Sequence, residues 1–320
     1  MKAIRVHEFG EPEVMRVEDV DRPEPGPGQV LVRVKAAGVN PVDAYIRSGR
    51  FGSLPALPYC PGLDAAGIVE KIGEGVSAAK TGDRVYIGGS LSGTYAEFTL
   101  CEEGQVGALP EAISFAQGAG LITPYATAYR ALFQKAHALP SERVFVHGGS
   151  GAVGIASIQM AAAAGCRVAA SAGTEKGRKM AKEQGAEFVV DHRAEGHGRE
   201  VLEWTQGEGV AVLLEMLANV NLGRDLDLLA VGGRAVVIGS RGLVEIDPRA
   251  ILAREAQVLG VNLFRASQRE MARIHAALGA GLASGVLRPI VREEFPLEAA
   301  PLAHRRVQEP GALGKVVLIP

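Results

Sequence analysis

The chain has 320 residues, enough for about two domains of ordinary size, each with its own apolar core. Hydrophobic residues make up 47% and charged residues 22%, and 34 Lys and Arg against 36 Asp and Glu leave a net charge of −2. That balance supplies no general basic surface for nucleic acid or an anionic membrane, and no apolar run reaches the roughly 18 residues a membrane helix needs.

From the start, residues 1–9 alternate like a strand and lack the apolar core and cleavage site of a secretory leader. Alternation at 30–36, 67–73 and 83–87, with dense Gly and Pro punctuation such as Pro23-Glu-Pro-Gly-Pro-Gly28, predicts a compact, partly open β-barrel up to about residue 120. Cys60, Cys101 and Cys166 are scattered and odd in number, which argues against a disulfide framework and for a reducing, cytoplasmic location.

After Leu109-Pro110 the pattern changes. Helices are predicted at 115–119 and 126–136, and then strands and helices alternate: strand 144–146, helix 152–164, strand 167–171, helix 175–184, strand 188–190, helix 198–205, strand 210–215, helix 222–230 and strand 234–239. With 258–263 as a sixth strand, this is the pattern of an α/β fold, a doubly wound parallel Rossmann sheet covered on both faces. A helix at 268–284, the segment 287–291 and the last run, 315–319, fall outside that sheet. The expected division is therefore 123–267 for the dinucleotide domain, with 1–122 and 268–320 forming the other.

The strand at 144–146 meets a glycine-rich turn and then an alanine-rich helix. Gly149, Gly151 and Gly154 fall on G-x-G-x-x-G, the first for the tight turn, the second for approach of backbone to a pyrophosphate, the third for packing of helix on strand. The phosphate would rest at the helix N-terminus. A carboxylate at the tip of the second strand would select NAD, but that strand ends Ala170-Ser171-Ala172-Gly173-Thr174. Lys176, Arg178 and Lys179 follow and would neutralise a 2′-phosphate, which favours NADPH; an inward-facing Glu175 would reverse the preference.

Three segments carry a resemblance: Ala37-Gly-Val-Asn40-Pro-Val-Asp43, Pro61-Gly62-Leu63-Asp64-Ala-Ala-Gly67 and Gly82-Asp83-Arg84-Val85 are similar to the GroES-like catalytic domain of the medium-chain dehydrogenase/reductase superfamily. In its zinc members a Cys stands where Asn40 is and a His-Glu pair where Leu63 and Asp64 are, and the structural-zinc cysteines are missing as well, so no metal is expected. Tyr45-Ile-Arg-Ser-Gly49, Pro124-Tyr-Ala-Thr-Ala-Tyr-Arg-Ala131, Ala172-Gly-Thr-Glu175, Glu215-Met-Leu-Ala-Asn-Val-Asn-Leu222 and Gly239-Ser-Arg-Gly242 resemble the zeta-crystallin-like quinone oxidoreductases along the whole chain.

The resemblance implies NADPH-dependent reduction of quinones, with the cofactor in the cleft between the domains. Without a metal to polarise a simple carbonyl, an electron-poor acceptor is the expected substrate. Tyr45 and Asn40 would face the nicotinamide and substrate; Ser150, Gly151, Ala152 and Val153 would hold the pyrophosphate; Gly173 and His192 would lie around the adenosine. Asn221, Ile238, Gly239, Ser240, Arg241, Val261, Asn262 and Leu263 would line the remaining groove. Ala152 stands where the family commonly has glycine. The resemblance also implies a homodimer or homotetramer, with the sheet edge near Val258 as a seam. Two alternatives stand beside it: reduction of an enal or enone double bond, and a crystallin-type protein that binds NADPH as a structural ligand or binds RNA.

Overall fold

The computed structural model describes residues 1–320. The chain forms two compact units, Met1–Thr123 with Met271–Pro320, and Pro124–Glu270.

The chain begins with β1 (Lys2–Val6), β2 (Met15–Asp19) and β3 (Gln29–Val39), followed by α1 (Pro41–Arg47), β4 (Asp64–Ile72), β5 (Arg84–Gly88), β6 (Phe98–Glu102), β7 (Val106–Ala108) and α2 (Phe115–Gly118). The second unit holds α3 (Thr127–Tyr129), β8 (Arg143–Val146), α4 (Ala152–Ala163), β9 (Arg167–Ser171), α5 (Glu175–Glu183), β10 (Phe188–Val190), α6 (His197–Trp204), β11 (Val210–Glu215), α7 (Ala218–Asp225), β12 (Leu229–Val237), α8 (Pro248–Arg254) and β13 (Gln257–Gly260). Helix α9 (Gln268–Ala283) carries the chain back to the first unit, where β14 (Val291–Pro296), α10 (Ala300–Arg306) and β15 (Lys315–Ile319) complete it.

In the first unit β3 is the organiser. Its Val30–Gly38 stretch pairs antiparallel with β4 along one edge, while Gln29–Arg33 pairs with β6 and Ala37–Val39 with β15 on the other. One long strand thus serves two short ones, and the sheet splays instead of staying flat. Ile4, Val32, Val85, Ile87 and Leu318 meet inside it, with Ala300 and Ala303 of α10 covering them. The final strand rejoins the first unit because Val316, Val317 and Leu318 are buried by pairing with β3.

The second unit is a six-stranded parallel sheet ordered β10-β9-β8-β11-β12-β13. Val144, Phe145 and Val146 are wholly buried, as expected of central strands covered by helices on both faces. The order reverses between β8 and β11, and ligands of open α/β sheets bind outside the carboxyl ends of the strands at such a switch point.

Two elements differ from their predicted spans. The helix expected at 222–230 is α7, Ala218–Asp225, because the Leu217 N–H donates to Glu215 Oε1 and turns the chain into helix directly after β11. The helix expected at 126–136 begins earlier and is widened into π-helical turns at Ile122–Ala126 and Arg130–Lys135. Pro124 sits in its first turn, where its missing N–H costs nothing.

Candidate functional site: the carboxyl edge of the parallel sheet

All six strands of the second unit run the same way, so the loops that follow them gather at one edge. The first is the glycine turn. Gly148 takes φ +62°, a conformation glycine adopts without the clash a Cβ brings, and the Gly151 N–H closes the turn on Gly148 O at 3.0 Å. The left-handed residue is thus Gly148, one position before the G-x-G-x-x-G run. Gly149 and Gly154 answer a packing need: a Cβ on Gly149 would lie 2.8 Å from Ala170 Cβ, and one on Gly154 2.2 Å from Gly148 O. Helix α4 starts at Ala152 with Gly151 as N-cap, and no side chain caps its first N–H groups. Those N–H groups and the helix dipole form a seat for an anion. Gly151, Ala152 and Val153 are half-buried around it, whereas Ser150 is buried.

The loops after β11, β12 and β13 are tied to one another. Ala218 N–H donates to Gly239 O at 2.9 Å, Arg241 N–H to Asn219 Oδ1 at 2.8 Å, and Val261 N–H to Val237 O at 3.1 Å. Gly239 is pressed on Met216, with a Cβ there falling 2.5 Å from Met216 O. Asn221, Ile238, Gly239, Ser240, Arg241, Val261, Asn262 and Leu263 therefore stand on one connected rim. Asn262 also spends its Oδ1 on the Phe264 N–H, at 3.0 Å.

Beyond β9 and β10 lies the corner at Gly173. A Cβ on Gly173 would be 2.6 Å from His192 Nε2 and 2.8 Å from Arg193 Nε, so the missing side chain leaves a cradle faced by an imidazole and a guanidinium. The cations expected to serve this corner are rearranged. Arg178 is bound to Asp191 at 2.6 Å, and Lys179 lies exposed beside Glu183. Glu175 is exposed in the first turn of α5. Arg193, which no sequence motif marks, is the guanidinium facing the cradle. Its only sequence signal was adjacency to His192.

Beneath the glycine turn is a buried polar cluster that no motif announced. His147 Nε2 donates to Asp225 Oδ1 at 2.9 Å and lies 3.4 Å from Glu215 Oε2, while its Nδ1 is 3.2 Å from Ser171 Oγ, which accepts the Gly148 N–H. Burial opposes the imidazolium, but the hydrogen bond and charge of Asp225 outweigh it and raise His147 above the ordinary histidine range. Burial, with the neighbouring Asp225, pushes Glu215 up to about 7. Burial acts the same way on Asp225, yet its bond to His147 prevails and lowers it. The two acids lie 68 and 78 positions from His147 in sequence, out of reach of any local pattern.

Tyr45 and Asn40 belong to the first unit. Tyr45 is half-buried on α1. Asn40 corrects its expectation: it is 3% exposed, Nδ2 donates to Asp64 Oδ2 at 3.0 Å, and Oδ1 accepts from Lys315 Nζ at 2.5 Å. Both polar atoms of its side chain are engaged inside the protein, and its burial keeps it from facing a substrate as expected. Asp64 also accepts from Lys315 Nζ at 3.0 Å and from Thr123 Oγ1 at 2.7 Å. Next to it Asp43, which takes the Asn40 N–H at 2.8 Å, is pushed by burial up to about 7. An ammonium held against Asp64 and Asn40, with Leu63 at the remaining position, does not fit a zinc ligand set.

Cys60 and Cys101 are pushed by burial up to about 12, which leaves them as inert thiols and removes them as nucleophiles. No helix is long and apolar enough to cross a membrane.

Comparison with known proteins shows the fold and the family. Residues 26–141 match the alcohol dehydrogenase GroES-like domain, and residues 152–278 the zinc-binding dehydrogenase family. A quinone oxidoreductase of Rattus norvegicus is 46% identical over 321 residues, spanning 100% of this chain and 98% of that protein. Among solved structures, an NAD-dependent alcohol dehydrogenase superimposes with a TM-score of 0.93 at 30% identity, covering 100% of both chains. The Escherichia coli quinone oxidoreductase complexed with NADPH gives 0.91 at 31%, also over 100% of both.

Proposed function

The chain belongs to the zeta-crystallin-like quinone oxidoreductases of the medium-chain dehydrogenase/reductase superfamily and is an NADPH-dependent oxidoreductase; from that premise we propose that its acceptor is a quinone, reduced without a metal. The observation that carries the reading is the Lys315–Asp64–Asn40 ion pair and hydrogen bonds, formed at positions 40 and 64, where the resemblance places ligands of the zinc members. A site with no Lewis acid favours an acceptor that is already electron-poor.

When bound, NADPH supplies the reducing equivalents from its nicotinamide. The uncapped N–H groups of Ala152 and Val153, with Ser150 and Gly151, would hold the pyrophosphate. Gly173 and His192 would border the adenosine, and Arg193 the 2′-phosphate. Asn221, the 238–241 turn and the 261–263 turn would line the rest. Tyr45 would place its hydroxyl by the acceptor as a hydrogen-bonding group. No side chain is assigned as general acid, because the reduced quinone oxygen is a stabilised phenolate that takes its proton from water.

Side-by-side assay of NADPH oxidation with a benzoquinone or naphthoquinone and with an alkenal tests the acceptor. Turnover with quinones and little with alkenals is expected; the opposite ranking would assign double-bond reduction instead. At the Gly173 corner, Arg193→Gln is expected to raise KM for NADPH about tenfold, since a charge-assisted bond to phosphate contributes roughly 1.5–3 kcal/mol. KM for NADH should hardly move, and an equal rise for both would remove Arg193 from phosphate recognition.

The reading extends to a cytoplasmic homo-oligomer. Strand β13 pairs only with β12, so its outer edge presents unpaired backbone groups, and Val258 on it is 39% exposed. Pairing with a second copy would satisfy that edge. Val258→Lys is expected to halve the mass seen by sedimentation; an unchanged mass would move the interface elsewhere.

A further inference from the structure

Glu215 sits where the loops that would receive the dinucleotide converge, yet it is itself fully buried and points away from solvent. Its two oxygens have separate duties. Oε1 accepts from the Leu217 N–H and from Asn221 Nδ2, the latter at 3.2 Å. Oε2 faces His147 and Asp225, and neither Glu215 Oε2 nor Asp225 Oδ2 finds a hydrogen-bond donor among the surrounding groups. A proton resident on Glu215 Oε2 and shared toward Asp225 satisfies both oxygens, and two carboxylates this close, without solvent, cannot both ionise cheaply.

The same contacts settle the orientation of Asn221. With Nδ2 committed to Glu215, the carboxamide turns Oδ1 away from the cluster, so Asn221 offers an acceptor, fit for a ribose hydroxyl or an amide N–H. If Nδ2 and Oδ1 exchanged places, two oxygens would face each other. Glu215 is therefore bonded both to the start of α7 and to Asn221, and through His147 it adjoins the residue that opens the glycine turn.

We infer that Glu215 is a positioning residue for the dinucleotide site: it fixes Asn221 as an acceptor and, carrying a proton in the binding-competent state, weakens binding of the anionic dinucleotide when it ionises. This rests on the reading that Asn221 lines the cofactor groove. The sign follows from charge. Loss of the proton adds a buried negative charge beneath a turn that must receive a pyrophosphate, and the raised affinity of Glu215 for its proton puts that loss near pH 7. The charged or titratable groups facing it are His147 at the end of β8, Asp225 and Arg224 on α7, and, behind His147, His192 after β10. The bond between Asp225 and His147 favours the charged form of both, whereas Glu215 Oε2 finds no donor, so Glu215 is the member of the cluster whose carboxylate is least supported.

The test is the dissociation constant of NADPH and NADH across roughly pH 5.5 to 8.5 for the full-length wild type, Glu215→Gln and Asn221→Ala. NADH is included because the 2′-phosphate itself titrates near pH 6. For the wild type, the NADH constant should be level at low pH and rise above neutrality toward the limit of about tenfold per pH unit for one proton, and the NADPH constant should show the same rise above neutrality. In Glu215→Gln the rise for NADH should vanish, with KM for dinucleotide changed and kcat at saturation kept within about twofold. Rescue of the low-pH affinity by this neutral isostere marks the proton as the operative feature. A Glu215→Gln profile parallel to the wild type overturns the proposal. Should that variant not fold, Asp225→Asn, which keeps an acceptor for His147, must displace the same inflection or the proposal falls. Unchanged affinity in Asn221→Ala overturns the underlying reading of the groove, a result separate from the pH profile.

Discussion

Gly154→Val is expected to abolish dinucleotide binding at any practical concentration, with a loss of at least about 100-fold, or roughly 2.7 kcal/mol. The reason is local and steric. A Cβ at residue 154 would lie 2.2 Å from Gly148 O and 2.8 Å from Gly149 Cα, both backbone atoms of the turn itself. No rotamer relieves that contact, so α4 must back away from β8 and its first N–H groups leave the anion seat. Gly154→Ala brings the same Cβ and should lose most of the affinity, and the added γ-carbons of Val complete the loss. Some stability goes too, about 1–3 kcal/mol for overpacking a close-packed site. Titration of NADPH fluorescence measures the affinity, and thermal melting without cofactor separates it from unfolding. Near wild-type binding by Gly154→Val would show that the turn does not seat the pyrophosphate.

Lys315→Met should be the most destabilising single change in the first unit. It leaves Asp64, wholly buried, without its counter-ion, and breaking one partner of a buried pair typically costs about 3–5 kcal/mol. Asp64 keeps its bonds from Asn40 and Thr123, so the lower part of that range applies. Asp64→Asn alone leaves the Lys315 ammonium uncompensated and should cost a similar amount. The double variant Lys315→Met/Asp64→Asn should cost less than the sum, because the second change removes a charge the first had stranded. Urea denaturation of the three variants reads the coupling, and strict additivity would mean that the pair does not act as a unit.

The two variants mark the limit of what could be read from sequence. Gly154 was legible because a strand, a turn and a helix lie within twelve consecutive residues, and their periods and glycine spacing are local properties. Alternation likewise disclosed the parallel sheet, and Asn40 and Leu63 could be read directly as residues unlike those of a zinc set. What surrounds Asn40 was not legible: Lys315 meets it across 275 positions, and only the antiparallel pairing of β15 with β3 brings them together. Asn40 looked like a substrate contact for the same reason, since nothing nearby in sequence shows that its amide is buried against Asp64 and Lys315.

The cofactor corner divides in the same way. The absence of a carboxylate after β9 could be read directly, but not which cation faces Gly173: sequence order pointed to Lys176, Arg178 and Lys179, whereas Asp191 binds Arg178 and Arg193 faces the cradle. His147, Glu215 and Asp225 each passed as ordinary residues of a strand end or a helix. Sequence by itself determined the parallel α/β sheet, the glycine turn between β8 and α4 and the residues at positions 40, 63 and 64, all set by short-range spacing and residue chemistry. Tertiary structure alone decided which polar side chains are spent on one another, because burial and charge pairing depend on strand order, which joins groups that the chain keeps far apart.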